Sequence, residues 1–228
     1  FYHDSAAALI IDGEIISAAQ EERFSRIKHD SQYPFHAIEF VLKNSNLKLS
    51  QIDHIDGAVN CSYPKNSNYG ASFFEVSQFD FNENVSLHLG SAFLIMRECA
   101  SYYIKNKRDF SLVNIASIYG SKAPDFSLYN GTSMTMPVEY AAIKSAIIHL
   151  NKYVASFMSD SSFRINSVSP GGLLANQPKQ FLDSYKKKTF GKGMLSPNHI
   201  LGAIIFLLSN SSQYINGQNI VVDDGFTL

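Results

Sequence analysis

Cysteine is scarce, charge of one sign is not in excess, and no hydrophobic run is long; each shortage removes a class of protein. The two cysteines, Cys61 and Cys99, have neither C-x-x-C nor zinc-ligand spacing, so the expected setting is a reducing cytoplasm. With 19 basic against 20 acidic residues the net charge is −1, which offers no polybasic surface to nucleic acid and no acidic screen. The longest apolar stretches, AIIHL and LGAIIFLL, fall short of the ~20 residues that span a bilayer. No charged n-region with an apolar h-region opens the chain. A soluble protein with neither nucleic-acid nor membrane partners is expected. It starts at Phe1 rather than Met, as a fragment does.

What is present suits a packed fold. Apolar residues make up 45% of 228, enough for one α/β domain or one with a smaller piece beside it. Residues 4–20, DSAAALIIDGEIISAAQ, read as two β-runs around Asp12-Gly13, a dipeptide suited to a type I′ hairpin turn. EERFSRIKHD follows as a charged loop. Pro34 then opens FHAIEFVLKNSN, in which Ala37, Ile38, Val41 and Leu42 share a helical face. From residue 55 short apolar strands (IDGAVN, FSLVNIAS, RINSVSP, QNIVVDDG) alternate with helices (ENVSLHLGSAFLIMRECASYYIK, the segment from Pro137, HILGAIIFLLS). That alternation implies a parallel sheet with flanking helices. The change of rhythm in SQIDHID divides the chain into residues 1–54 and 55–228.

The chemistry concentrates in PVEYAAIKSAIIHL, residues 137–150. A phenol ionises near pH 10, so exchanging a proton near neutrality requires a pKa lower by roughly 3, or about 4 kcal/mol. Lys144, one helical turn after Tyr140, lies on the same face, and its ammonium favours the phenolate. A substrate oxygen needs a further holder. Ser117 ends the strand NIAS, and ligands of open α/β sheets gather at the carboxyl ends of strands. Taken alone, the Tyr-x-x-x-Lys pair also fits an ordinary amphipathic helix.

NIAS, YAAIK, NSVSPGG and GQNIVVDDG stand in an order that resembles the short-chain dehydrogenase/reductase family over residues 55–228. The resemblance implies a Rossmann-like α/β fold and an NAD- or NADP-dependent exchange of hydroxyl and carbonyl. It implies Tyr140 as general acid/base, Ser117 as orienter of the substrate oxygen, and Lys144 as tuner of Tyr140 and holder of the nicotinamide ribose. Asn60 in IDGAVNCSYP falls at the family's Asn-Asn-Ala-Gly strand end, beside the adenine side of the cofactor, although Cys61 and Tyr63 depart from that pattern. Pro170, Gly171 and Gly172 resemble the loop whose backbone approaches the nicotinamide, with the Leu173 amide toward the carboxamide; SPGG also reads as a simple turn. The family's Asn in the preceding long helix falls at His88, which reads equally as a core histidine.

The span from Ser117 to Tyr140 exceeds the family's usual spacing and contains APDFSLYNGTSMTMP. It is similar to an insertion in oxidoreductases of bacterial surface-sugar and flagellin-modification pathways. Tyr129, Asn130, Thr132 and Ser133 would then suit a polar small-molecule substrate, a sugar or nucleotide-sugar; the alternative is a mobile polar loop. In the family, helices matching GSAFLIMRECASYYIK and KSAIIHLNKYVASFM pair between subunits, which implies a homodimer or homotetramer.

The family's Thr-Gly-x-x-x-Gly-x-Gly turn, whose amides and helix N-terminus cradle a pyrophosphate, has no match in residues 1–54. HDSAAALIIDG and EERFSRIKHD instead resemble the N-terminus of antibiotic- and nodulation-type carbamoyltransferases, where His3 and Asp4 would lie near a phosphate site. His3, His29 and His36 read as surface or loop residues rather than metal ligands. The fold expected is therefore a Rossmann-like sheet lacking its first βα units, preceded by a hairpin and helix, with reduced stability and weak NAD or NADP binding. Carbamoyl transfer and a non-catalytic dimeric protein are the other functional readings.

Overall fold

The computed structural model describes residues 6–11, 14–20, 22–26, 35–48, 52 and 54–228. Asp12-Gly13, Pro34, His3, Asp4 and His29 lie outside them. The chain divides into two compact units, the first running to Ile55 and taking in Cys61–Pro64, the second made of Asp56–Asn60 and Lys65–Leu228.

In the first unit β1 (Ala6–Ile11) pairs antiparallel with β2 (Glu14–Gln20), with a register irregularity between Leu9 and Ile10. A short helix, α1 (Glu22–Ser25), precedes α2 (Phe35–Asn44). The face expected from the helical period is the one turned inward: Ala37 and Val41 are buried, Ile38 and Leu42 half-buried. Phe24 packs on Phe40 at 5.3 Å between ring centroids, and Asn44 donates to the Ser17 hydroxyl at 3.4 Å.

The second unit is an α/β fold around a parallel sheet of β3 (Gly57–Asn60), β4 (Phe110–Ile115), β5 (Phe163–Pro170) and β6 (Asn219–Val222), in that spatial order. Strands adjacent in sequence are adjacent in space, each joined to the next through helices. The central strands β4 and β5 are almost wholly buried because both faces are covered. On one face Phe110, Leu112, Phe163 and Ile165 meet α4 (Gly90–Asn106) and α5 (Val138–Met158). On the other, Val113 and Val168 meet α7 (Leu201–Leu208). A shorter helix, α6 (Lys179–Lys186), lies between β5 and α7 in sequence.

One boundary differs from the sequence expectation. The helical segment starts at α3 (Gln78–Asn84), continues through a π-helical turn at Val85–Leu89 and runs on as α4. Ser77 sets the start: its hydroxyl accepts the Asp80 amide at 3.0 Å and donates to the Asp80 carboxylate at 2.5 Å. Within this unit polar residues are matched inside the sheet. Asn60 donates to Asn114 at 2.9 Å and Asn114 to Asn151 at 2.8 Å, joining β3, β4 and α5. The buried Arg164 guanidinium fastens the C-terminal end of α7, donating to the Leu207 carbonyl at 2.7 Å and the Ser212 hydroxyl at 2.6 Å. Among the described residues no helix is long and apolar enough to cross a membrane.

Candidate active site

The carboxyl ends of β4, β5 and β6 bring the candidate residues together. Just beyond β4, Ser117, still extended, caps a tight helical turn, Ile118–Gly120, by accepting the Tyr119 amide at 3.2 Å. Its hydroxyl donates to the Tyr140 oxygen. Lys144, only 4% exposed, donates to the Ile115 carbonyl at 2.8 Å, with its ammonium 5.7 Å from the centre of the Tyr140 ring. Gly120 makes this approach possible. A Cβ there would stand 2.8 Å from the Lys144 carbonyl oxygen and 2.7 Å from Ile148 Cδ1. Ser117, Tyr140 and Lys144 are thus gathered as the sequence expects.

The electrostatics differ from the expectation in one respect. Burial raises the Tyr140 pKa above its ordinary value, and the Ser117 hydroxyl offsets only part of that. The Lys144 ammonium is itself held by the Ile115 carbonyl, and loss of solvent around the phenol is the largest influence on Tyr140. Tyr140 is therefore a protonated donor at neutral pH. His88 sits buried in the π-helical turn, a feature that often marks functional helices. Burial first, and the Lys144 charge second, push its imidazole down to about 3, so it is a neutral ring beside the cation.

Of the four cofactor-loop residues, Pro170 closes β5 and Gly171 donates its amide to Val222 at 2.9 Å. The Gly172 amide donates to the Tyr185 hydroxyl at 2.6 Å. A Cβ on Gly171 would lie 2.8 Å from that hydroxyl, and one on Gly172 2.9 Å from the Tyr185 ring. Packing against α6 therefore requires both glycines, whatever ligand the loop meets. Leu173 forms a parallel bridge with Leu195 that uses the Leu174 amide and the Gly172 carbonyl and leaves the Leu173 amide out. The Asn60 side chain is committed to Asn114, a structural role.

The insertion departs further from expectation. Tyr129 is buried: it packs on Phe181 at 5.3 Å and accepts from the Tyr119 hydroxyl. Thr132 turns its hydroxyl to the Tyr129 carbonyl at 2.8 Å and accepts the Met134 amide at 3.2 Å. Asn130 and Ser133 remain exposed, and Gln180 of α6 donates to the Asn130 carbonyl at 3.2 Å. Sequence reasoning did not single out Tyr119, Tyr185 and Gly120. Their signal was available in part, since IYG follows directly on the strand end NIAS.

These residues fit the reactive half of a nicotinamide cofactor and not its phosphates. The buried Lys144 and the Ser117–Tyr140 pair form one donor set beyond β4. The sequence has no Thr-Gly-x-x-x-Gly-x-Gly turn to cradle a pyrophosphate.

A parallel sheet flanked by helices, with Ser, Tyr and Lys converging beyond its strands, defines an oxidoreductase of Rossmann-like architecture. A family model described as enoyl-(acyl carrier protein) reductase matches residues 46–227, and the chain belongs to this short-chain dehydrogenase/reductase family. A second model, described as carbamoyltransferase N-terminus, matches residues 1–63. The chain is 38% identical to the post-translational flagellin modification protein A of Campylobacter coli, over 76% of this chain and 68% of that protein. Its N-terminal part is 49% identical to the uncharacterized protein sll1178 of Synechocystis, over 24% of this chain and 9% of that one. A short-chain dehydrogenase of Leptospira borgpetersenii, solved with bound NAD+, superposes with a TM-score of 0.70 at 30% identity, covering 89% of this chain and 75% of that one.

The His88 environment has a consequence for stability. Its folded pKa of about 3 lies below the unfolded value, so the neutral ring stabilises the fold above about pH 6.5, and that contribution falls as pH drops toward 3. At pH 5 the loss is about 2 kcal/mol. Urea unfolding at pH 7.5 and pH 5 is expected to show this loss in the wild type and not in His88→Asn; an equal loss in both would overturn the assignment.

Proposed function

We propose that this chain interconverts a hydroxyl and a carbonyl on a small molecule, with NAD(H) or NADP(H) as cofactor. The observation that carries the reading is the hydrogen bond from Ser117 to the Tyr140 phenol with Lys144 docked behind it. The nicotinamide, when bound, supplies or accepts the hydride. Ser117 holds the substrate oxygen, and Tyr140, kept protonated by burial, gives that oxygen its proton as a carbonyl is reduced, then regains one from solvent. Lys144, near the ribose, limits the charge that builds on the phenolate. Residues 55–228 would be the catalytic part and residues 1–54 a carbamoyltransferase-like segment. Carbamoyl transfer has less behind it, because the model described as carbamoyltransferase N-terminus matches residues 1–63 alone.

The outer faces of α4 and α5 support the homodimer or homotetramer reading. Phe93, Leu94 and Ile104 are exposed on α4, while Tyr153 and Phe157 of α5 stack at 6.4 Å beside a cleft of about 350 Å³. A second copy of the same bundle is the occupant this face suits. Light scattering is expected to give a dimer or tetramer, and Phe157→Lys to shift it toward monomer; a monomeric wild type would refute the bundle.

Two further measurements test the reading. Tyr140→Phe should abolish carbonyl reduction, and an unchanged rate would remove Tyr140 from the chemistry. Cofactor affinity should be poor, since a pyrophosphate cradle contributes several charge-assisted hydrogen bonds of about 1.5–3 kcal/mol each. A calorimetric titration with NADH or NADPH is expected to show no saturation at micromolar concentrations. Saturation there would reveal a phosphate site elsewhere in the chain.

A further inference from the structure

Tyr140 lies between two buried polar residues of α5, and the proposed chemistry uses one of them. Lys144 ties the helix to the end of β4 through the Ile115 carbonyl. Glu139, the residue before Tyr140, is fully buried in the first turn and accepts from the Asn84 side-chain amide at 3.2 Å. Its second oxygen, Oε2, has no hydrogen-bond partner among the described residues, so Asn84 is the group that holds this carboxyl. A buried carboxyl is costly where an apolar side chain would pack. At 3.6 residues per turn, Tyr140 projects about 100° and Lys144 about 140° from Glu139 around the helix axis. The phenol thus lies within the angle that the two anchors span.

Asn84 is itself kept from turning. It is fully buried, ends α3 and leads into the π-helical turn. Its Oδ1 accepts the Asn66 backbone amide at 2.9 Å, and its Nδ2 is shared between Glu139 and the Asn66 Oδ1, the latter at 3.2 Å. Asn66 in turn donates to Asp80 at 2.9 Å and to Glu83 at 2.7 Å, both on α3. Every polar atom of the Asn84 side chain is therefore engaged, and a flip of the amide would leave buried groups unmatched. The strut runs from the segment after β3, through the end of α3, to the first turn of α5. A single anchor on a long lysine side chain fixes the height of α5 and leaves it able to roll about its axis. A second anchor, on another side of the helix, removes the roll.

We infer that Glu139 is a positioning residue: through its bond to Asn84 it fixes the roll of α5 and so holds the Tyr140 phenol toward Ser117. This rests on the proposed role of Tyr140 for its bearing on catalysis, but its test reads the phenol and not turnover, so an inactive chain leaves it decidable. The chain is labelled with tyrosine carrying 13C at Cζ, and the Tyr140 signal, assigned by its loss in Tyr140→Phe, is followed by NMR as the pH is raised. In the wild type it should titrate above the ordinary tyrosine range, as burial requires. Glu139→Leu removes the acceptor and should return the titration toward that range, whereas Glu139→Gln keeps an oxygen for Asn84 and should leave it as in the wild type. The pair separates position from charge, because a carboxyl acting by charge is lost in both. Asn84→Ser withdraws the donor from the other end; it should act as Glu139→Leu does, and it decides the matter where Glu139→Leu does not fold. Tyr103→Phe, which removes the bond to Asp160 beyond the far end of α5, controls for general loosening and should leave Tyr140 unmoved. In a chain that turns over, Glu139→Leu should lower kcat about tenfold or more with KM unchanged. A wild-type titration in both Glu139→Leu and Asn84→Ser, an equal change in the Gln and Leu variants, an equal change in Tyr103→Phe, or failure of both Glu139→Leu and Asn84→Ser to fold, which would assign the pair to stability, would each overturn the inference. Loss of rate in Tyr140→Phe bears on the reaction alone.

Discussion

A buried ammonium must find an acceptor, and the position of Lys144 follows from that requirement. At 4% exposure its charge would be costly without a partner, and the carbonyl of Ile115, at the last residue of β4, supplies one at 2.8 Å. The bond holds α5 to the strand end at one height. Tyr140, one turn earlier on the helix, is thereby set against Ser117, two residues beyond that carbonyl. Gly120 then lets the chain turn away beneath α5 without touching it. The site is consequently a property of the β4–α5 junction, and backbone groups, rather than flexible side chains, determine its spacing.

The same junction feeds the aromatic cluster. Tyr119, whose amide holds the Ser117 hydroxyl, donates its own hydroxyl to Tyr129 in the insertion. Tyr129 packs on Phe181 of α6, and α6 sends Tyr185 to the Gly172 amide. An uninterrupted path of packed rings and hydrogen bonds therefore joins the strand end after β4 to the loop after β5. Burial raises the pKa values of Tyr119, Tyr129 and Tyr185. These phenols stay neutral and act as structural donors and acceptors, which separates them in role from Tyr140 although all four lie close together.

What could be read in advance depended on local periodicity. The inward face of α2 followed from a 3.6-residue repeat, and β4 and β5 from apolar runs too short for helices. Tyr140 and Lys144 were legible because four residues on a helix make one face. Their electrostatic relation was not, since spacing reports proximity and says nothing about how much water remains around a phenol. The burial of Tyr129 was not legible for a similar reason: Tyr119 and Phe181, which pack on it, come from other segments of the chain. The π-helical turn at His88 and the packing reason for Gly171 and Gly172 are also long-range effects. The start of α3 was visible in Ser77-Gln78-Phe79-Asp80, a capping pattern that a reading guided by apolar residues passes over.

Dinucleotide sites of doubly wound sheets lie where the strand order reverses, so that loops from both halves enclose the ligand. In this chain β3, β4, β5 and β6 lie in sequential order, and the sheet winds in one direction throughout. Ser117, Tyr140, Lys144 and the loop held by Tyr185 all come from that single-direction half. Their arrangement is maintained by bonds within the second unit. Phosphate affinity depends on something different in kind: backbone amides at a helix N-terminus, contributed by a Gly-rich turn that the sequence does not contain. The two requirements are physically separable, because one is satisfied by close packing around α5 and the other by a loop that packing around α5 does not specify. The geometry around Tyr140 is therefore set independently of how the phosphates of a cofactor would be held.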